Sequence, residues 1–236
     1  MPTQEERDRA MAVHSLDDQT RVRAGGDETE TVMGAGGEIQ PPPQPRDDEE
    51  EPVMTDRRPP MDPDTDEASE RQLDLAHAQG AAYSRALAHM AQDVADDGGQ
   101  QRAGEYVVGY AVEEAEGMYA WSDGELSWQG PGETNAHVEV SVQDGSDGRF
   151  VPCLDVTVTM VAPDGTQVGP HPQPMLWHPM IYHYGRNWTL PSDGTYTMRV
   201  HIDPPTFMRH DEVNGRRFTE PVDVEFTDVR VTRGQD

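Results

Sequence analysis

The chain has no lysine. All 18 basic residues are arginine, set against 45 acidic residues, so 236 residues carry a formal net charge of −27. A surface this acidic repels nucleic acid and anionic lipid and attracts cations, which argues against a nucleic-acid partner. It is also the composition of a protein adapted to high salt, where screening within a few ångströms blunts self-repulsion. The other reading is an ordinary protein with an acidic, aromatic-poor arm. Cysteine is nearly absent. Cys153 stands alone, so no intrachain disulfide forms, and the apolar run Phe150-Val151-Pro152-Cys153-Leu154 marks it as a small core residue. Long apolar runs are missing, and no segment reaches the ~18 residues of a membrane span. The N-terminus shows no basic stretch followed by an apolar one, so no signal peptide is visible and the sequence as written is expected to start in the cytoplasm. The hydrophobic fraction is 34%, below the roughly 45–50% of a globular domain on a count that includes glycine, so part of the chain is expected outside any core.

That part is residues 1–63. They hold the proline run at 41–45 and the acidic run Asp47 to Glu51, and they read as a disordered acidic arm that cannot offset the entropy of ordering. Residues 66–96 read as one helix. Leu73, Ala76, Gly80, Tyr83, Leu87, Met90 and Val94 recur at alternating spacings of three and four, a heptad seam. Asp64, Thr65 and Asp66 are N-cap candidates, Gly98-Gly99 is the expected stop, and Gly80 is expected to weaken the middle. Such a helix is marginal alone and is expected either to pack on the following domain or to pair with a copy of itself.

From Tyr106 the period changes to two. Tyr106 to Val112, Ala136 to Val142, Leu154 to Met160, Tyr196 to Ile202 and Val222 to Phe226 each alternate as half-buried strands. Gly145-Ser146-Asp147-Gly148, Pro163-Asp164-Gly165, Pro191-Ser192-Asp193-Gly194 and Asn214-Gly215 supply the turns. Short antiparallel strands with frequent turns over residues 104–233 predict an all-β, immunoglobulin-like sandwich, preceded by the arm and the helix.

The chemistry left to a chain of this composition is metal binding. There is no Gly-x-Ser-x-Gly, no phosphate-cradling glycine loop, no Cys-x-x-Cys and no basic patch with interleaved aromatics. In Ala136-His137-Val138-Glu139-Val140 the valines face the core, which sends His137 and Glu139 to the other face of the strand, roughly 7 Å apart, where they either share an ion or are simply solvated. Met175-Leu176-Trp177-His178-Pro179-Met180-Ile181-Tyr182-His183-Tyr184-Gly185 reads as a loop with two thioethers and two imidazoles. Soft sulfur with imidazole suits copper, and imidazole alone also suits iron or zinc. His210 follows Pro204-Pro205 in another loop, whereas His201 alternates outward on a strand.

Together these segments resemble the periplasmic accessory proteins of high-affinity ferrous-iron transport. The resemblance is carried by His137-Val138-Glu139, then Phe150-Val151-Pro152-Cys153-Leu154, then Pro179-Met180 ahead of His183-Tyr184-Gly185-Arg186-Asn187, then Gly194-Thr195-Tyr196. It ends with Arg209-His210, Gly215 and Pro221-Val222-Asp223-Val224. It covers about residues 104 to 230 and implies a copper- and iron-binding immunoglobulin-like homodimer that works beside an iron permease outside the cytoplasm. It implies metal ligands at His137, Glu139, Met180, His183 and His210. The segment between Pro179-Met180 and His183 is shorter than in the family pattern, so Met175 or His178 stands as an alternative to Met180. The arm and the helix have no counterpart in that pattern.

The function expected is therefore capture of Fe2+ or Cu2+ and its delivery to a permease or partner, without enzymatic activity. The rival readings are a copper-dependent ferroxidase and a metal-free interaction sandwich that pairs through its helix.

Overall fold

The computed structural model describes Thr65 and residues 67–235. The arm expected over residues 1–63 lies outside the described residues. The sandwich is built from two antiparallel sheets. One has five strands: β1 (Asp97–Ala103), β2 (Tyr106–Glu113), β5 (Ala136–Asp144), β9 (Tyr182–Trp188) and β8 (Met175–Trp177), in the order β1-β2-β5-β9-β8. The other has four: β11 (Val222–Val231), β10 (Gly194–Ile202), β6 (Val156–Val161) and β7 (Gln167–Pro172), in the order β11-β10-β6-β7. The remaining pair, β3 (Met118–Ser122) and β4 (Glu125–Gln129), forms a separate hairpin. The all-β sandwich expected from the alternation of period two is what the chain forms.

The alternation also selects the core. Val108, Val112, Val138, Val140 and Val142 from the first sheet meet Val158, Met160, Met198, Val200, Ile202 and Phe226 from the second. The Tyr184 hydroxyl donates to the Val151 carbonyl at 2.7 Å and accepts from the Leu154 N–H at 3.1 Å, which pins the segment between β5 and β6. That segment corrects one expectation. Cys153 is exposed, with a φ of 58° that turns its side chain outward, while Val151 and Leu154 fill the core on either side.

Some strands carry no alternation and were not expected. β1 is an edge strand of Asp, Gly, Gln and Arg with no buried residue, so Gly98-Gly99 belongs to a strand and does not stop the helix. β7 is a proline-bearing edge, where missing donors cost least. In the hairpin Tyr119 pairs with Trp128 and Trp121 with Leu126, so all four side chains share one face, and all four are exposed.

The helix α1 spans Glu70–His89 and continues as a five-residue π turn, Met90–Val94. Its N-cap is Ser69, whose backbone N–H donates to Gln72 Oε1 at 2.8 Å. Thr65 serves elsewhere, donating its hydroxyl to Asp211 Oδ2 at 2.7 Å. Of the two expected fates the structure adopts packing on the sandwich. Leu73, Gly80 and Met90 are buried, and Val94, the last residue of the seam, is exposed. Gly80 is the point of closest approach, since a Cβ built there would sit 1.7 Å from the Asp147 carbonyl oxygen. Its lack of a side chain serves packing first.

Candidate metal centre

Strand β5 lies between β2 and β9 and is buried along its whole length. Its inward valines build the core. Its outward residues form a polar ladder, His137, Glu139, Ser141 and Gln143, that is also buried. Of the two alternatives for this face, a simply solvated one is excluded by the burial of His137 and Glu139; α1 covers the far end of the ladder. Gln143 donates to Ser84 Oγ at 2.8 Å and to the Gly148 carbonyl at 2.7 Å.

Register places the neighbours. His137 pairs with Asn187 and Glu139 with Gly185 across β5 and β9, and cross-strand partners share a face. His183, two residues from Gly185, joins the same face. It lies on β9, so the segment expected to be a loop holds two strands, β8 and the start of β9. The result is one buried group of donors, His137, Glu139 and His183, whose ligand atoms all lie within 4.8 Å of one another. His183 Nε2 is 3.2 Å and His137 Nε2 is 3.7 Å from the same Glu139 oxygen. Donors bound to one first-row ion at about 2.1 Å stand roughly 3–4 Å apart, so these spacings suit a shared ion.

Two observations fit the group to a ligand. His137 Nε2 and both ring nitrogens of His183 are buried without a hydrogen-bond partner, and each such atom costs about 1–3 kcal/mol if nothing fills the need. Space is also reserved. A Cβ at Gly185 would approach His137 Nε2 to 3.2 Å and His183 Cδ2 to 3.3 Å, so a larger residue opposite Glu139 would crowd both imidazoles.

His137 is fixed in orientation. Its Nδ1 donates to Asn187 Oδ1 at 2.9 Å, and Asn187 is fixed in turn by donating its amide to the Glu116 carbonyl at 2.6 Å. The proton on Nδ1 leaves the Nε2 lone pair facing Glu139. Asn187→Ala is expected to weaken metal binding by about 10–100-fold while leaving the stoichiometry intact; competition against a chelator of known affinity measures it.

Electrostatics follow from burial. Desolvation first, and then the charges of Glu113 and Glu116, push the Glu139 carboxyl up to about 8. Desolvation first, and then His137 and His178, pull His183 down to about 3. His137 is also lowered, by burial, with Asn187 and Glu116 opposing. At neutral pH the metal-free group is thus two neutral imidazoles and a protonated carboxyl. The contacts at 3.2 and 3.7 Å are not ion pairs.

The other expected ligands stand differently. Met180 is 38% exposed in the turn before β9, and its N–H donates to His178 Nδ1 at 3.2 Å. His178 is half-buried, and Met175 is exposed on β8. His210 is exposed in the segment between β10 and β11 and is not part of the buried donor group. Glu113, Glu116 and Asn187 were not picked out as site residues. Asn187 alone had a sequence signal, as the last residue of the His-Tyr-Gly-x-Asn pattern.

Residues 129–232 match the family of Fe2+ transport proteins. The Fe2+ transport match begins at the last residue of β4, so α1, β1 and β2 lie ahead of it. Comparison with curated protein sequences gives no match. Among solved structures, copper-reconstituted P19 from Campylobacter jejuni is similar at 15% identity and a TM-score of 0.50, over 58% of this chain and 96% of that one. FetP of uropathogenic Escherichia coli strain F11, solved as isolated after expression in the periplasm, is 20% identical over 56% of this chain and 93% of that one, with a TM-score of 0.48. The likeness to P19 is one of fold.

Proposed function

We propose that the sandwich is a metal-binding accessory domain for iron handling, which captures Fe2+ or Cu2+ and hands it to a membrane permease or another partner. His137, Glu139 and His183 supply the ion's central ligands. The observation that carries this reading is their convergence, with orphaned imidazole nitrogens, in a buried group within the residues that match Fe2+ transport proteins. The relatives' copper supports the choice of ion, as P19 is described as copper-reconstituted. On affinity alone Cu2+ exceeds Fe2+. Met180, with Met175 or His178 in its place, and His210 complete the proposed set by family resemblance alone. By the same resemblance the protein works outside the cytoplasm as a homodimer and is not an enzyme.

The ion would be held by two neutral imidazoles and one carboxylate, a borderline donor set. The chain's own part is to keep the ring nitrogens unprotonated, orient His137 through Asn187 and exclude water. Titration of the protein with Cu2+, Fe2+ and Zn2+ tests the assignment. One ion per chain is expected, lost in both His137→Ala and His183→Ala. Unchanged stoichiometry in both variants would overturn it.

A further inference from the structure

The donors of the metal centre are nearly out of contact with solvent: His137 is 0%, Glu139 4% and His183 3% exposed. A hydrated ion cannot reach them until a covering group moves. Helix α1 packs at the Gln143 end of this face, through Ser84 and Gly80, and reaches the start of β9 at Tyr182; it precedes the region shared with Fe2+ transport proteins. Tyr83 is the helix side chain that bonds to β9. The Tyr83 hydroxyl donates to the Tyr182 carbonyl at 2.5 Å, one residue from His183. Its ring lies 5.6 Å from Phe150, which in turn lies 5.4 Å from Tyr184 and 6.4 Å from Tyr182.

The helix is also lightly held. Of its 20 residues only Leu73 and Gly80 are buried, and Leu75 is 52% exposed. Elements with little buried apolar surface open locally at small cost, and lids are drawn from them.

We propose that helix α1 gates the metal centre, with Tyr83 as its latch: ions enter and leave when Tyr83 releases the Tyr182 carbonyl and the helix lifts. This rests on the metal-binding reading above. Tyr83 is a positioning residue and not a ligand. A gate of this kind slows uptake and release together and leaves the equilibrium affinity nearly unchanged. It turns a binding site into a retaining one, which keeps its ion until a partner or a spontaneous opening frees the helix.

The test uses the full chain, with stopped-flow Cu2+ uptake and chelator-driven release measured for wild type, Tyr83→Phe and Tyr83→Ala. Tyr83→Phe keeps the ring and loses one hydrogen bond, worth about a fivefold change in opening. Both of its rates are expected to rise by that factor. Tyr83→Ala is expected to raise both rates by at least ~10-fold while Kd moves by less than about threefold, a pattern that lost binding contacts alone would not give. Parental rates in both variants would overturn the gate. So would a Tyr83→Ala variant in which release alone accelerates and Kd weakens in step, since that is the behaviour of a ligand. Should Tyr83→Ala fail to fold by circular dichroism, Tyr83→Phe decides. Absence of Cu2+ binding by the wild type would instead remove the metal reading on which the gate stands.

Discussion

Glu139→Gln is expected to lose at least ~100-fold in metal affinity and, in the metal-free state, to be more stable than the parent above pH 8. The two effects have one cause. The carboxyl is buried beside Glu113 and Glu116, so its pKa in the folded protein is raised from 4.5 to about 8. A group raised on folding supports stability fully below its unfolded value and loses that support as pH climbs through the folded one. The metal-free parent therefore loses stability between about pH 4.5 and 8. At 1.36 kcal/mol per pH unit the full interval is worth about 5 kcal/mol. Glutamine keeps the shape and cannot ionise, so the difference between variant and parent, read from urea denaturation across this range, should grow with pH and level off above 8. A bound divalent cation reverses the balance by favouring the carboxylate. Metal loading at pH 6–7 should thus release close to one proton per ion in the parent, fading above about pH 8, and none from this position in Glu139→Gln. Titration in weakly buffered solution reads that proton directly. Imidazoles of ordinary pKa would put the pH limit near 6.5. Burial moves His183 down to about 3 and hands the limit to Glu139.

Gly80→Ala carries the second large effect. In an exposed helix this change gains up to about 1 kcal/mol. Here the added Cβ would stand 1.7 Å from the Asp147 carbonyl oxygen, 2.7 Å from its carbon and 2.8 Å from the Arg149 nitrogen. All three are backbone atoms of the turn after β5, so no side chain can swing aside. The helix has to move outward, at a cost of roughly 1–3 kcal/mol typical of overpacking. Thermal denaturation should show the loss, and helix content at low temperature should be kept. A displaced helix also carries Tyr83 away from the Tyr182 carbonyl, so the same variant should exchange metal faster than the parent.

The fold was legible where one face of a strand is apolar. β2, β5, β10 and β11 announced themselves through alternating valines, methionine and aromatics. β1 did not, because an edge strand of small and charged residues buries too little to leave a pattern. β8 and β9 were hidden for a different reason. Their run from Met175 to Trp188 shows no alternation, and His183, Tyr184 and Gly185 are buried in succession, on both faces of β9. The same double burial explains the site. His137 and Glu139 looked like weak candidates as long as their face could be wet, and their burial against β9 shows that it is dry. Asn187 becomes visible once β9 is paired with β5 in register, since it then stands opposite His137. Gly80 was read by propensity and turned out to be placed by contact.

Strand β5 gives its even-numbered valines to the core and its odd-numbered residues to the buried polar face, where His137 and Glu139 join the candidate donor group. A slip of one residue in its pairing would turn the imidazole and carboxylate into the hydrophobic layer and the valines away from it. The donors can meet only in a sheet whose register is correct. Metal stoichiometry on refolded protein is therefore a count of correctly registered molecules, a quality that secondary-structure spectra of the same sample would not distinguish.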